Sequence, residues 1–441
     1  MKAPDGWRIR ALDEVAQIQT GLSKSSSRTG EFVRLPYLRV ANVQDGHLDL
    51  SEVKEIDVPA DSIDRFRVQV GDLLLTEGGD FDKLGRGAIW KGDIPNCVHQ
   101  NHLFVVRANE TLLDRRFLAV QTQAGHGRAY FQSCSKQSTN LASINSTQLK
   151  QFPVLLPPLS EQQKIAEILG TWDEALEKLD ALIAAKERRK QALMQQLLTG
   201  KRRPPGFDKS NGESVTTHHG TFPADWSRVK LGKITAESTV RAADAVGAVV
   251  LSCTKHHGLV PSEEYFGRRV YAADTSAYKL VRRGEFAYAT NHIEEGSIGL
   301  QNVCDVGLVS PIYTVFRSLD TVDDRYLFRV LKSPLLIHLY QTNTSASVDR
   351  RGSLRYNEFA NIKVHLPSKP EQRAIAAVLD TADAELRFLR QQHAALDQQK
   401  RGLMQQLLTG KVRVSARARF EFSPSTAAAS GVCLRGQRAT A

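Results

Sequence analysis

Along two stretches of the chain, apolar residues advance by three and four positions in alternation. The first runs Leu169, Trp172, Leu176, Leu179, Ile183, then Leu193 and Leu197; the second runs Leu379, Ala382, Leu386, Leu389, Leu396, Leu403 and Leu407. That spacing predicts two helices with a coiled-coil seam. The seam is interrupted at the same level in both, by Lys186 and Lys190 in one and by His393 and Lys400 in the other. Polar seam residues set register and partner orientation at some cost in stability. Ser160 and Pro370 precede Glu161 and Glu371 at the expected starts, and Gly200 and Gly410 mark the stops. A helix of some 40 residues, rising about 1.5 Å per residue, is roughly 60 Å long. Pairing within the chain is favoured over a helix that merely dimerises the protein, because one chain carries both partners.

The two stretches are copies. Residues 156–201 recur at 366–411 at an offset of 210 without a gap, with 23 of 46 positions identical, including the nine-residue run LMQQLLTGK. Upstream, Ile144, Leu149, Phe152, Val154 and Leu156 fall on Leu354, Phe359, Ile362, Val364 and Leu366. Leu-Asp-Arg at 113–115 meets Asp-Asp-Arg at 323–325, and Trp7, Leu12 and Val15 match Trp226, Leu231 and Ile234 at an offset of 219. Each repeat is therefore a whole module followed by a helix, a domain duplication and not a solenoid, whose repeats are roughly 20 to 50 residues. Within the modules the pattern shortens to apolar runs at 72–76, 102–107 and 152–157, with counterparts at 285–290, 312–317 and 362–367, all read as strands. Residues 112–123 and 323–334 carry helical spacing instead. Each module is mixed α and β.

Composition narrows the class. Hydrophobic residues are 41% and charged residues 24% of the 441, the balance of a globular protein of two or three domains. No apolar run approaches the roughly 20 residues that cross a bilayer, and the start lacks the apolar middle of a secretory signal. The five cysteines are scattered singly, so neither a disulfide framework nor a zinc knuckle is indicated, and a reducing, cytoplasmic setting is expected. Lys and Arg outnumber Asp and Glu by 59 to 48, which suits a polyanionic partner.

A variable module, a Leu-Pro lead, a Glu-Gln-x-x-Ile start, a long helix and a Leu-Leu-Thr-Gly-Lys end, all occurring twice, resemble the DNA-specificity subunit of Type I restriction-modification systems. The residues that carry the resemblance are Leu156-Pro157, Glu161-Gln162, Ile165-Ala166 and Leu197 to Lys201, with Leu366-Pro367, Glu371-Gln372, Ile375-Ala376 and Leu407 to Lys411. It spans roughly residues 7–411. One departure is that Ser368-Lys369-Pro370 replaces Pro158-Leu159-Ser160 in the second copy. The resemblance implies an α+β fold: two mixed α/β target-recognition domains separated by a long antiparallel two-helix coiled coil, with an internal pseudo-two-fold repeat. The domains are then 1–155 and 226–365, the spacer helices 156–201 and 366–411, a polar linker 202–225 and a disordered tail 412–441. It also implies binding of a bipartite double-stranded DNA site, each module contacting one half. The expected partners are two copies of a methyltransferase subunit, which would carry S-adenosylmethionine, and restriction or translocase subunits. No cofactor is expected on this chain itself.

DNA binding asks for cations facing phosphates and for Arg, Lys, Asn or Gln at base edges. Polar loops in matching places offer them: Lys83 and Arg86 in 76–87, and Lys136, Gln137 and Asn140 in 135–140 of the first module. The second module offers Asn291 and His292 in 289–299, and Arg350, Arg351 and Arg355 in 347–357. Any one of these also reads as a solvated surface residue. Cys97, His99 and His102, and Cys253, His256 and His257, invite a metal reading, but neither set has the second ligand pair that zinc sites usually need, so structural or surface roles are expected. The chain has no phosphate loop, dinucleotide-binding glycine motif, HExxH or GxSxG, nor the Asn-Pro-Pro-aromatic motif of adenine methyltransferases. A non-catalytic specificity subunit is expected. The competing readings are a self-contained methyltransferase or nuclease with an unrecognised active site, and a purely structural coiled-coil adapter.

Overall fold

The computed structural model of the chain describes residues 3–23, 31–79, 81, 84–137, 142–207, 212–242, 248–344 and 353–414. They form two units. One is built from the first 179 residues and those from Gln392 onward, the other from Asp180–Gln391. Each long helix, Leu159–Leu198 and Lys369–Leu408, therefore contributes to both units. The helices begin two residues earlier than the sequence signals suggest. Pro370 consequently lies inside the first turn, where its missing N–H has no intrahelical partner to lose.

In the first unit a four-stranded antiparallel sheet runs in the order Ala16–Thr20, Leu103–Ala108, Leu73–Thr76, Gly87–Ile89. Its strands alternate faces, so Phe104 and Val106 join one apolar cluster while Leu103 and Val105 join another. Arg8–Ala11 pairs with Pro153–Leu156 and ties the module's start to the lead of the long helix. Helix Arg115–Gln123 is capped by Asp114, whose Oδ1 accepts from the amides of Arg116 (2.9 Å) and Phe117 (3.1 Å). That buries Phe117 and Leu118 in the core.

The second unit repeats this plan. Its sheet runs Thr235–Ser238, Tyr313–Ser318, Phe286–Ala289, Ile298–Leu300, and Ser227–Lys230 pairs with Lys363–Leu366. Asp323 caps helix Asp324–Leu331 by accepting from Arg325 and Tyr326. Phe359, fully buried, packs against Tyr288 and Phe316 at ring separations of 5.2 and 5.1 Å. The six strands and two helices expected from the apolar pattern are all present. Accessory sheets differ between the modules: Phe32–Leu38 with Lys54–Pro59 and Val98–His99 in the first, and four strands centred on Val249–Thr254 and Val306–Val309 in the second.

The long helices pack antiparallel. In the first unit Lys400 pairs with Asp173, and Arg413 with Glu161. In the second, Lys186 pairs with Glu385, Lys190 with Asp383 (2.5 Å) and Arg390 with Glu187 (2.5 Å). Leu169 and Leu407 are buried in the first unit, Leu197, Leu379 and Leu386 in the second. Three of the polar seam residues, Lys186, Lys190 and Lys400, are thus partners in interhelical ion pairs. Burial pushes the Asp383 carboxyl up, but Lys190 and Arg329 outweigh it and hold the group below the usual carboxylate range.

Two stretches carry more structure than their composition suggests. The 202–225 segment, expected as a polar linker, contains a hairpin, Ser214–Thr217 with Gly220–Pro223, and buries Phe222. Within it Arg203 donates to both carboxylate oxygens of Glu371, at 2.7 and 2.6 Å, and to Asp225. The tail does not begin at residue 412: Val412 and Val414 pack on the first core, and Arg413 donates to Glu161 at 2.7 and 2.8 Å. Residues 415–441 of the expected disordered tail lie outside the described residues. No described helix is long and apolar enough to cross a membrane.

Burial also sets a pH response. His99 is fully buried, and desolvation lowers its pKa below the ordinary 6.5; burial acts likewise on His126 and His365. A histidine neutral in the fold but free to protonate when unfolded contributes stability above about pH 6.5 that is lost as pH falls. The denaturant midpoint is therefore expected to drop between about pH 7.5 and about pH 5.5. His99→Gln should make that drop shallower; an unchanged pH slope would remove His99 from the effect.

Candidate nucleic-acid interface

The loops singled out in each module come together. In the first, strand Gly78–Gly79 pairs with Ala142–Ser143, which pairs in turn with Lys136–Gln137, and the amide of Ile144 donates to the carbonyl of Glu77 at 2.9 Å. In the second, the amide of Leu354 donates to the carbonyl of Thr290 at 2.9 Å. Ile144 and Leu354 are equivalent positions of the repeat. Each module thus clasps two loops that are about 65 residues apart in sequence, through long-range backbone hydrogen bonds.

Arg86 is half-buried and donates to Gln44 Oε1 at 3.3 Å. Lys136 and Gln137 lie in the short strand described above. Asn291 is half-buried, and His292 is exposed with Nδ1 3.6 Å from Glu295 Oε1. Arg355 is exposed at the start of helix Tyr356–Asn361. Lys83, Asn140, Arg350 and Arg351 lie outside the described residues. The turn at 292–295 brings His292, Glu294 and Glu295 close enough that one ligand-type atom from each falls within 4.8 Å of the others. Two carboxylates there oppose an anion at His292.

The first of the two sets that invited a metal reading is split between core and surface. Cys97 and His99 are core residues, whereas His102 is half exposed and bonded through Nδ1 to Glu77 Oε2 at 2.5 Å. Burial pushes the thiols of Cys97 and Cys253 up to about 12, which disfavours the thiolate that metal binding needs. His256 and His257 are exposed on the turn after Cys253.

The Glu-Gln pair that opens each long helix has a purely internal task that sequence reading did not assign. Gln162, buried, accepts from the Asp114 amide and donates to the carbonyls of Leu112 and Pro157, all at 2.9 Å. Gln372 accepts from the Asp323 amide at 2.8 Å and donates to Pro367 O at 2.9 Å and Thr321 O at 3.4 Å. Glu161 and Glu371 receive Arg413 and Arg203, residues that are themselves related by the offset of 210. The signal was available, since Arg203 and Arg413 stand two residues beyond the shared Gly-Lys.

Residues 4–187 match the family described as the Type I restriction modification DNA specificity domain. The chain is 23% identical to the protein described as the type I restriction enzyme MjaX specificity subunit of Methanocaldococcus jannaschii, over 93% of this chain and 95% of that one. In fold it is similar to a chain solved in work on complex assembly and conformational transition of the type I R-M system, at TM-score 0.57 and 18% identity, covering 93% of this chain and all of the other. It is also similar to the Type I restriction-modification S subunit from M. genitalium, at TM-score 0.52 and 13% identity, covering 92% and 98%. With its duplicated Glu-Gln helix starts, paired long helices and two modules of one plan, the chain is similar over more than nine-tenths of its length to a specificity subunit of a Type I restriction-modification system, and its residues 4–187 match the DNA specificity domain of such systems.

Proposed function

We propose that the chain binds a bipartite duplex DNA site in the cytoplasm, one module to each half, and so directs two copies of a methyltransferase subunit. The reading is carried by one observation: both modules hold the same pair of loops together by equivalent backbone hydrogen bonds, while the loop residues themselves differ. Conserved scaffolding with divergent donors and acceptors is what two different half-sites require, because each base pair presents its own hydrogen-bonding pattern in the major groove. Arg86, Lys136, Gln137, Asn291 and Arg355, with Lys83, Asn140, His292, Arg350 and Arg351, are the proposed contacts. Val378 and Phe388 are exposed apolar residues on the second long helix and suit docking of a methyltransferase subunit. S-adenosylmethionine would sit on that subunit, and restriction or translocase subunits would join the same assembly.

The test is to co-express the chain with its methylating partner and map the adenines that become modified. Exchanging residues 226–366 for the corresponding part of another such subunit should replace one half of the methylated motif and leave the other half intact. Change in both halves would refute the assignment of one module to one half-site.

A further inference from the structure

A cleft of about 310 Å³ opens in the first unit, lined in part by Gln44, Asp45, His47, Arg86, Gln123 and Arg128. We propose that this cleft seats a backbone phosphate of the duplex, with Arg86 as the cation that meets it. The proposal rests on the DNA-binding reading above and sorts one of its contacts: Arg86 positions the duplex and does not read a base.

Three observations lead there. First, among the described residues Arg86 is held in place by a neutral group. Gln44 donates through Nε2 to Ala41 O at 2.7 Å, which fixes its amide so that Oε1 accepts from Arg86 Nη1 at 3.3 Å. The turn bearing Gln44 is closed by its own amide on His47 O at 3.0 Å and pinned to the strand after Arg86 by Gly46 N on Gly87 O at 2.9 Å. Gln123 Nε2 donates to the same Gly87 carbonyl at 3.2 Å. An amide orients a guanidinium without cancelling its charge. By contrast, the other cation of the cleft is partnered: Arg128 pairs with Asp45 and donates through Nε to Gln123 O at 2.9 Å.

Second, the guanidinium is recessed. Base edges lie at the floor of a major groove about 8.5 Å deep, so a side chain that reads them must project from the protein surface. Phosphates stand out from the duplex and can enter a concavity. A half-buried Arg86 inside a cleft therefore fits the protruding group and not the sunken one. Third, the amide of Thr76 donates to the carbonyl of Arg86 at 3.0 Å, and two residues on, Gly78–Gly79 pairs with Ala142–Ser143 of the second candidate loop, so the cleft adjoins the proposed interface. The sequence alone flagged Arg86 but gave no reason to include the turn at 44–47 or Arg128.

The experiment measures duplex binding by the reconstituted complex of this chain with its methyltransferase subunit over a series of salt concentrations. Arg86→Ala should lower the slope of log affinity against log salt by about 0.9, the value for one lost phosphate contact. The loss should be equal on cognate and unrelated duplexes, and the methylated motif should be unchanged. Arg86→Lys should keep the slope, which separates loss of charge from loss of folding. Asp45→Asn should tighten binding by releasing Arg128. A motif relaxed at one base position in Arg86→Ala would make it a base reader and overturn the proposal, as would an unchanged slope. If the wild-type complex itself methylates no bipartite site, the DNA-binding reading fails; if it does and Arg86→Ala keeps the full slope, the cleft assignment alone fails.

Discussion

Replacing Arg203 by alanine should lower the unfolding free energy by roughly 3–5 kcal/mol, the range for removing one partner of a buried ion pair. Arg203 is 7% exposed and Glu371 only 1%, so truncation strands a carboxylate in a place that water does not reach. The loss includes both hydrogen bonds of a bidentate pair, and the two to Asp225. The measurement is the shift of the denaturant midpoint, and a loss below about 1 kcal/mol would mean that solvent compensates Glu371 after all. Replacing both partners, Arg203→Met with Glu371→Leu, should recover most of the stability, because the penalty belongs to the unpaired charge and not to the missing pair. The equivalent change at Arg413 should cost less. Arg413 is 45% exposed, so water already shares the site with Glu161.

The second large effect is expected at Gln372. Leucine there keeps the volume of the side chain but leaves the Asp323 amide and the Pro367 and Thr321 carbonyls without their partner. The Pro367 bond is buried and the other two partly so, and at about 1–3 kcal/mol for a stranded buried group a loss of roughly 2–3 kcal/mol follows. Because the Asp323 amide is one link between the long helix and the cap of helix Asp324–Leu331, hydrogen exchange at Asp323 should accelerate as well. Gln372→Glu should be milder at the Asp323 amide, since an acceptor remains. If Gln372→Leu unfolds at the wild-type midpoint, the motif is not a fastener, and its recurrence at Gln162 needs another explanation.

These contacts show how the duplicated Glu-Gln motif works. Glu-Gln at a helix start looks, in sequence, like a helix-initiation signal. In the fold both side chains face inward. The glutamine ties the helix to its own module, and the glutamate takes an arginine that follows the other long helix: Arg413 for Glu161, Arg203 for Glu371. The same exchange places Pro4 against Gly410 and Pro223 against Gly200. A Cβ on either glycine would come within 2.6 or 2.4 Å of its proline, and both glycines have positive φ, 65° and 70°. Gly200 and Gly410 are thus required twice, by backbone conformation and by close approach.

The amino-acid sequence by itself determined the duplication, the helical and strand elements shared by the modules, and the pairing of the long helices. Those features rest on periodic burial and on local start and stop chemistry, which repeat in the order of the residues. Only the tertiary structure decided that Lys186, Lys190 and Lys400 find acidic partners across the helices, and that Arg203 and Arg413 pair with Glu371 and Glu161. It also decided that His99 and Cys97 belong to the core while His102 does not, and that Gln44 comes from 42 residues away to hold Arg86. Each of these is a contact between groups distant along the chain, and the sign of its effect depends on burial and on the partner's charge. Neither quantity is set by a residue's immediate neighbours in sequence.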